Sequence, residues 1–371
     1  MTSTYALVTG GGTGGHVIPA IAIGRALVEL GHPAEEIHFV GARRGIEAEL
    51  VPAAGFTITL LPGRGIARHL TVDNIGALFG LARAVARAIA LVRRRKPQVV
   101  ISVGGFASVP CALAAWLWRV PLIVAEQNAV PGLANRLAAR VAVASAVSFP
   151  GTTLPRAVLT GNPVRPELLS VDRSEPARAA ARTELGLGVD DRVIVVAGGS
   201  LGARTINASV LALASAWADR KGFAIRHIVG ARDFERISAA APPATPSGLV
   251  YQLVRFEDHM ERCYAAADVA VHRAGASTVA ELATAGVPSI LVPLPGAPGD
   301  HQSVNAKRMV EAGGAIVVPD GELDATRLAA ELDGLFDEPL RLQAMARAAR
   351  TLARPGAALA VAELAQGAAR G

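Results

Sequence analysis

Three glycine clusters, one arginine-led turn and one Asp-His-Gln triplet are where this 371-residue chain could do chemistry. The clusters are residues 10–15, Gly104-Gly105 and Gly198-Gly199. Glycine strips side chains from a turn, so backbone amides can approach phosphate oxygens. Arg273-Ala274-Gly275-Ala276-Ser277-Thr278 follows a short apolar run and leads into a helix; Asp300-His301-Gln302 leads into another that contains Asn305. Both turns stand where a strand ends and a helix begins, the place where open α/β sheets take ligands and helix amides favour anions. Glu281, one turn inside the first helix, can accept two neighbouring hydroxyls of a ribose. Alone, Glu281 and Asp300 read as acids that favour helix N-termini; together with Arg273, the small-residue turn and the triplet they read as a nucleotide site. His16 opens a helix beside the first glycine loop and can titrate near neutrality, as a general base does. A structural role, bonding acceptor or loop oxygens, is the other reading of it.

The elements that must position these residues follow from an alternation of short apolar runs with helical stretches. Strands are expected at residues 5–9, 37–40, 56–61, 99–103 and 122–125, then, after a pause, at 193–197, 225–229, 249–253, 268–271 and 289–292. Helices are expected at 16–30, 73–95, 204–218, 278–285, 339–352 and 357–368. Pro19 is tolerated in the first turn of its helix. The fold class is α/β, with two doubly wound parallel sheets built on one repeated plan of strand, glycine loop and helix. The pause at Gly161-Asn162-Pro163-Val164-Arg165, followed by the polar residues 172–176, puts a domain boundary there, giving domains of about 1–163 and 164–340.

Composition narrows the classes of function. With 51% hydrophobic residues the chain can fill two cores. Cys111 and Cys263 form no framework and fit buried packing in a reducing compartment. The first residues enter a strand directly, so no targeting segment is expected, and the most apolar run, 107–118, is too short to span a bilayer. A net charge of +6 points to anionic partners. Aromatics are scarce and no interleaved basic-aromatic surface occurs, so nucleic acid is not expected. The chain has no Asp-x-Asp and its His and Cys are scattered, so no metal is required.

The Gly10, Gly12, Gly15 spacing also satisfies the dinucleotide fingerprint. That fingerprint wants an acid at the end of the second strand, where Gly41-Ala42-Arg43-Arg44 stands instead. An arginine there could serve a 2′-phosphate. Two phosphate-type loops in the first half and one in the second suit two phosphate-bearing ligands better than a single cofactor.

In sequence order, Gly11-Gly12-Thr13-Gly14-Gly15-His16, Gly104-Gly105-Phe106, Glu126-Gln127-Asn128 through Gly132 and Asn135, Gly161-Asn162-Pro163-Val164-Arg165, Gly198-Gly199-Ser200-Leu201-Gly202-Ala203 and the 267–306 block recur across nearly the whole chain. The set resembles the GT-B glycosyltransferases, and within them the peptidoglycan enzymes that add N-acetylglucosamine (GlcNAc) to lipid I. The resemblance implies two Rossmann-like domains facing a cleft, with the C-terminal helices, about 341–371, crossing back onto the first. It implies inverting transfer of GlcNAc from UDP-GlcNAc to the 4-hydroxyl of MurNAc in undecaprenyl-pyrophosphoryl-MurNAc-pentapeptide, in cell-wall synthesis. UDP-GlcNAc and lipid I are the implied substrates, with cell-wall synthesis and division proteins as candidate partners; no cofactor is required and a divalent cation is at most non-essential.

Residue by residue, the resemblance assigns donor contacts to Thr13, Gly14, Gly15, Arg165, Ser200, Phe256, Glu257, Arg273, Ala276, Ser277, Glu281, His301 and Gln302, with Asn128 reaching the sugar from across the cleft. Glutamine is frequent in the family where His301 stands. Gly12, Thr13, Gly14, Gly104 and Gly105 would hold the acceptor diphosphate. His16 is the candidate base and Glu126 the fallback. A polyprenyl acceptor further implies a peripheral enzyme on the cytoplasmic face of the plasma membrane. Ile75, Phe79, Arg83, Arg87 and Trp116 would meet the inner leaflet; the spacing of Ile75, Leu78, Phe79, Val85 and Ile89 equally suits a helix core. The alternatives are another GT-B enzyme (a UDP-GlcNAc 2-epimerase or a secondary-metabolite glycosyltransferase) and a nucleotide-binding, membrane-peripheral interaction protein.

Overall fold

Runs of Val, Ile and Ala with no polar alternation build two parallel sheets, because strands covered on both faces have no solvent side to mark. A computed structural model describes residues 4–43, 45–63, 73–199, 202–245 and 247–369, the side chains of 73–78 excepted. The chain divides into two units, Met1–Arg165 with Arg354–Gly371, and Pro166–Ala353.

In the first unit the strands are β1 (Ala6–Gly10), β2 (Ile37–Ala42), β3 (Thr57–Leu61), β4 (Val99–Gly104), β5 (Leu122–Glu126), β6 (Ala144–Val147) and β7 (Ala157–Leu159). Their order is β3-β2-β1-β4-β5-β6-β7, every pairing parallel. Alternate residues feed opposite layers. Ala6 and Val8 join Val17, Ile23 and Leu27 of the helix Gly14–Glu29 and Val361, Ala362 and Ala365 of the helix Ala357–Ala368. Leu7 joins Ala84, Ala88, Leu91 and Val92 of the helix Asp73–Arg95 and Cys111, Ala114 and Ala115 of the helix Ser108–Leu117.

The second unit holds β8 (Arg192–Ala197), β9 (Phe223–Ile228), β10 (Val250–Val254), β11 (Val269–His272), β12 (Ser289–Leu291) and β13 (Ala315–Val317), in the order β10-β9-β8-β11-β12-β13, again all parallel. This is the first six-strand order repeated. Ile206, Val210 and Leu213 of the helix Arg204–Ala216 pack with Leu328, Leu332 and Leu335 of the helix Ala325–Phe336 beneath β8 and β11.

Four expectations change. The helix Pro339–Arg350 belongs to the second unit, not to a tail on the first. Its Met345 lies in the second core, and a Cβ on Gly314 would come within 2.8 Å of the Ala349 Cα. The chain rejoins the first unit at Arg354, the start of the Arg354-Pro355-Gly356 break. Residues 172–176, read as linker, open the helix Glu175–Glu184, whose Arg178 and Arg182 pair with Asp268. Pro19 falls in the second turn, since the helix starts at Gly14. The short strands β6, β7 and β13 are additions; β7 is the three-residue run Ala157–Leu159, apolar but exposed and too short to stand out as a strand.

Candidate functional site

At the carboxyl ends of β1 and β4 the first glycine loop is bent by Gly10, Gly11 and Gly12, with φ of 156°, 152° and 97°, against Gly104 and Gly105, with φ of 97° and 86°. A Cβ on Gly105 would stand 2.4 Å from the Gly11 carbonyl oxygen, and one on Gly10 would stand 2.7 Å from that of Gly104. Here glycine serves the contact of two backbones. The Gly104 amide donates to Ser108 Oγ at 3.0 Å, and the Gly12 amide donates to Glu47 Oε2 at 2.9 Å. Both amides, expected to serve the acceptor diphosphate, are thus spent inside the protein. Glu47 is the functional-region residue that sequence reasoning missed. It looks like an ordinary first-turn acid of the helix Glu47–Ala53, yet it is 1% exposed.

His16 lies where it was expected, near the start of the helix Gly14–Glu29. Its Nδ1 is 3.3 Å from Thr13 Oγ1, and its Nε2 hangs over Gly104, 3.0 Å from where a Cβ would be. Glu126 does not suit a base. It is 3% exposed, and its carboxylate accepts from the amides of Asn128 (2.9 Å) and Gly132 (3.0 Å) and from the Asn128 and Asn135 side chains at 3.3 and 3.0 Å. Such a carboxylate organises the loop 126–132, and a proton would cost it those bonds.

The second unit carries its glycine loop at the same place, after β8. Gly198 is pressed against the Ala203 amide and Gly202 (φ 75°) against the Val229 carbonyl. Gly199 (φ 87°) is instead exposed, and among the described residues nothing lies within 4 Å of its would-be Cβ. Ser200 lies outside the described residues. Under this loop runs a chain of side-chain hydrogen bonds that also reaches the buried Asp233, whose Oδ2 accepts from Asn207 Nδ2 at 3.3 Å. Asn207 Nδ2 donates to the Val229 carbonyl at 3.0 Å, so its Oδ1 accepts from His227 Nε2 at 3.1 Å, and Tyr251 OH donates to His227 Nδ1 at 2.9 Å. Burial pushes His227 down to about 4.

Around β11 and β12, Arg273 is 9% exposed and donates to the carbonyls of Val292 and Pro293 at 3.1 and 3.2 Å. It also lies 2.5 Å from Asp320 Oδ1, at an angle that makes an ion pair without a hydrogen bond. Arg273 therefore holds the loop, a different task from the donor contact expected of it. Glu281 is the sixth residue of the helix Ala276–Ala285, past the first turn, so the N-terminal dipole does not explain it. It is 7% exposed and accepts from Tyr264 OH at 3.2 Å. Ala276 is buried at the helix start and Ser277 half-buried. Asp300 adopts φ 51°, ψ 33°, and accepts from Ser303 Oγ. His301 Nδ1 donates to the Pro298 carbonyl at 2.9 Å, which puts the proton there and makes Nε2 an acceptor. Gln302 Oε1 accepts from the Leu294 amide at 2.9 Å, leaving its amide nitrogen as the donor.

Phe256 is 58% exposed, as a stacking surface must be. Glu257 is committed elsewhere: Arg226 bonds it at 2.5 and 3.0 Å and the His259 amide at 3.0 Å. Burial, the largest single influence, pushes its carboxyl up, but the Arg226 and His259 bonds outweigh burial and hold it below the ordinary value. Arg165 closes the first unit, half-buried.

On the helix Asp73–Arg95, Ile75 lies outside the described side chains. The buried stripe is Ala84, Ala88, Leu91 and Val92, while Phe79 is 70% exposed and Arg83 and Arg87 point outward. The core reading therefore fails for Phe79. Trp116 is 59% exposed on the neighbouring helix. A cavity of about 530 Å³ opens beside them, lined by Ile89, Arg93, Arg94, Lys96 and Trp118 among others.

Residues 6–147 match the glycosyltransferase family 28 N-terminal domain, and residues 193–364 match the family 28 C-terminal domain. The chain belongs to glycosyltransferase family 28. It is 42% identical over 359 residues to the UDP-N-acetylglucosamine--N-acetylmuramyl-(pentapeptide) pyrophosphoryl-undecaprenol N-acetylglucosamine transferase of Alkalilimnicola ehrlichii, covering 96% of this chain and 97% of the relative. The identically named protein of Moorella thermoacetica is 40% identical over 363 residues, with 96% of each covered. Among solved structures, Acinetobacter baumannii MurG superposes with a TM-score of 0.76 at 30% identity, covering 98% of this chain and 99% of that one. A UDP-GlcNAc 2-epimerase from Neisseria meningitidis gives a TM-score of 0.70 at 13% identity, covering 98% and 100%, a likeness of fold alone. This family 28 chain is thus a GT-B glycosyltransferase, and its two sheets are the two halves of that fold.

Proposed function

We infer that this enzyme transfers GlcNAc from UDP-GlcNAc to the 4-hydroxyl of MurNAc in undecaprenyl-pyrophosphoryl-MurNAc-pentapeptide, with inversion, giving lipid II for peptidoglycan. The observation that carries this is full-length similarity, 42% and 40% identity across 96% of the chain, to transferases named for that reaction. The second unit would bind the donor. Glu281 accepts the ribose hydroxyls, Phe256 flanks the uracil, and His301 Nε2 and the Gln302 amide offer an acceptor and a donor to sugar hydroxyls. The exposed Gly199 turn, with Ser200 next in sequence, and the N-terminus of the helix Arg204–Ala216 meet the diphosphate. Charge developing on the departing UDP is then stabilised by groups already in position. Because these groups supply that charge, no metal is required, and turnover is expected to persist in EDTA.

In the first unit His16 takes the proton of the acceptor hydroxyl, with Thr13 fixing its ring. Of the expected acceptor-phosphate donors, Thr13, Gly14 and Gly105 remain, since the Gly12 and Gly104 amides are engaged. The decisive assay is transfer of radiolabel from UDP-GlcNAc to a short-chain lipid I analogue. Labelled disaccharide product is expected; conversion of UDP-GlcNAc alone to its 2-epimer, without transfer, would overturn the assignment.

Among the described residues no helix is long and apolar enough to cross a membrane. A polyprenyl acceptor therefore calls for peripheral docking on the cytoplasmic face, through exposed Phe79 and Trp116 flanked by Arg83 and Arg87. Each basic group near anionic lipid adds about 1 kcal/mol. Co-sedimentation with anionic liposomes is expected to fall with salt and with a Phe79→Ser, Arg83→Glu double substitution. Equal binding to neutral vesicles would place the lipid contact elsewhere.

A further inference from the structure

Glu47 is a buried acidic residue used by no step above. Its Oε2 accepts from the Gly12 amide at 2.9 Å and its Oε1 from the Ala42 amide at 2.7 Å. Three glycines leave room for it: a Cβ on Gly11 would fall 2.1 Å from Oε1, one on Gly41 2.4 Å from Cγ, and one on Gly45 1.8 Å from Oε2. The end of β2, the start of the next helix and the first glycine loop are thus wrapped around one carboxylate. The residue after Gly12 is Thr13, whose hydroxyl meets His16.

We propose that Glu47 is a positioning residue: it occupies the seat this glycine loop would otherwise offer a phosphate, and through Gly12 and Thr13 it fixes the His16 imidazole. A carboxylate seated on the Gly12 amide keeps a phosphate oxygen off it, because that single N–H donor is already taken. The acceptor diphosphate is therefore kept off the floor of the loop. The proposal rests on His16 acting at the acceptor hydroxyl, and its test separates the two ideas.

Turnover at saturating lipid I analogue, UDP affinity and thermal midpoint are measured for wild type, Glu47→Gln, Glu47→Ala and His16→Ala. Glu47→Gln keeps the volume but puts an amide against donors that need an acceptor. It is expected to lose about 10²-fold in kcat, the scale of an ångström-sized misplacement, with UDP affinity unchanged. In Glu47→Ala, added formate is expected to recover turnover where equimolar chloride does not, and inorganic pyrophosphate is expected to compete with the acceptor more tightly than in wild type. A Glu47→Gln kcat within about threefold of wild type overturns the proposal. So does a folded Glu47→Ala that formate does not rescue, or equal pyrophosphate inhibition of both forms. If Glu47→Ala does not fold, Glu47→Gln decides alone. Loss in Glu47→Gln with His16→Ala fully active would instead remove His16 as the base while leaving Glu47 as the organiser of the loop.

Discussion

The two glycine loops occupy equivalent places in equivalent sheets, after β1 and after β8, yet their floors are built differently. Under the first lies a buried carboxylate that takes the Gly12 amide. Under the second the buried carboxylate, Asp233, meets the Asn207 side chain instead, and Asn207, His227 and Tyr251 brace the loop from below while Gly199 is exposed. Topology decides where a loop stands; a residue outside the motif decides whether its amides can receive a phosphate. On the proposed reading the first loop chiefly places a side chain, His16, and the second receives the donor's diphosphate.

The largest expected effect tests the first half of that contrast. His16→Ala should lower turnover by about 10²–10⁴-fold, the usual weight of a general base, while UDP affinity, a property of the second unit, stays intact. Steady-state kinetics beside a UDP titration would show it. A loss of UDP affinity equal to the loss of turnover would erase the division of labour between the loops.

Acid should separate the units next. His227 and His272 in the second unit are both pushed down to about 4 by burial, against one such histidine, His38, in the first. A group whose folded pKa lies below its unfolded value of 6.5 contributes stability that is complete above pH 6.5. That contribution is lost as pH falls toward 4, because the unfolded chain binds the proton and the folded one does not. Each buried histidine in the second unit is on the order of 2–3 kcal/mol at the acid end. Hydrogen exchange at pH 7 and pH 5 should show protection falling first in β8, β9 and β11. Earlier loss in β1 and β4 would reverse the comparison.

The smallest effect probes the donor side alone. Glu281→Gln should weaken UDP-GlcNAc by about 1–3 kcal/mol, the range for a hydrogen bond to a charged group. Calorimetric titration with UDP and 2′-deoxy-UDP would check it, the variant narrowing the gap between the two. Unchanged affinity with a lowered melting temperature would reduce Glu281 to a partner for Tyr264.

Most of the fold was legible because both sheets are covered on both faces, which makes their strands plain apolar runs such as Val193 to Val196. Helix ends were legible where glycine marks them, as Gly286 does with φ 67°. The exposed strand β7 and the home of the helix Pro339–Arg350 were not, since an alanine-rich amphipathic helix does not say which core will take it. In the candidate site, sequence named the loops but not the internal bonds that hold their parts. Arg273, Glu257 and Glu126 carry the right charge for ligands, yet each is spent on backbone or on an internal partner, and burial of that kind leaves no trace in residue type. Glu47 was hidden for the converse reason: its partners are backbone amides and its cage is made of glycines.

The helix Ala357–Ala368 supplies Val361, Ala362 and Ala365 to the core of the first unit, although the whole second unit precedes it in the chain. During synthesis the first sheet is therefore translated early but cannot close its hydrophobic layer until the helix Ala357–Ala368 leaves the ribosome, whereas residues 166–353 complete their own core sooner. A premature stop after Ala353 would spare the neighbouring unit and cripple the one begun at the N-terminus.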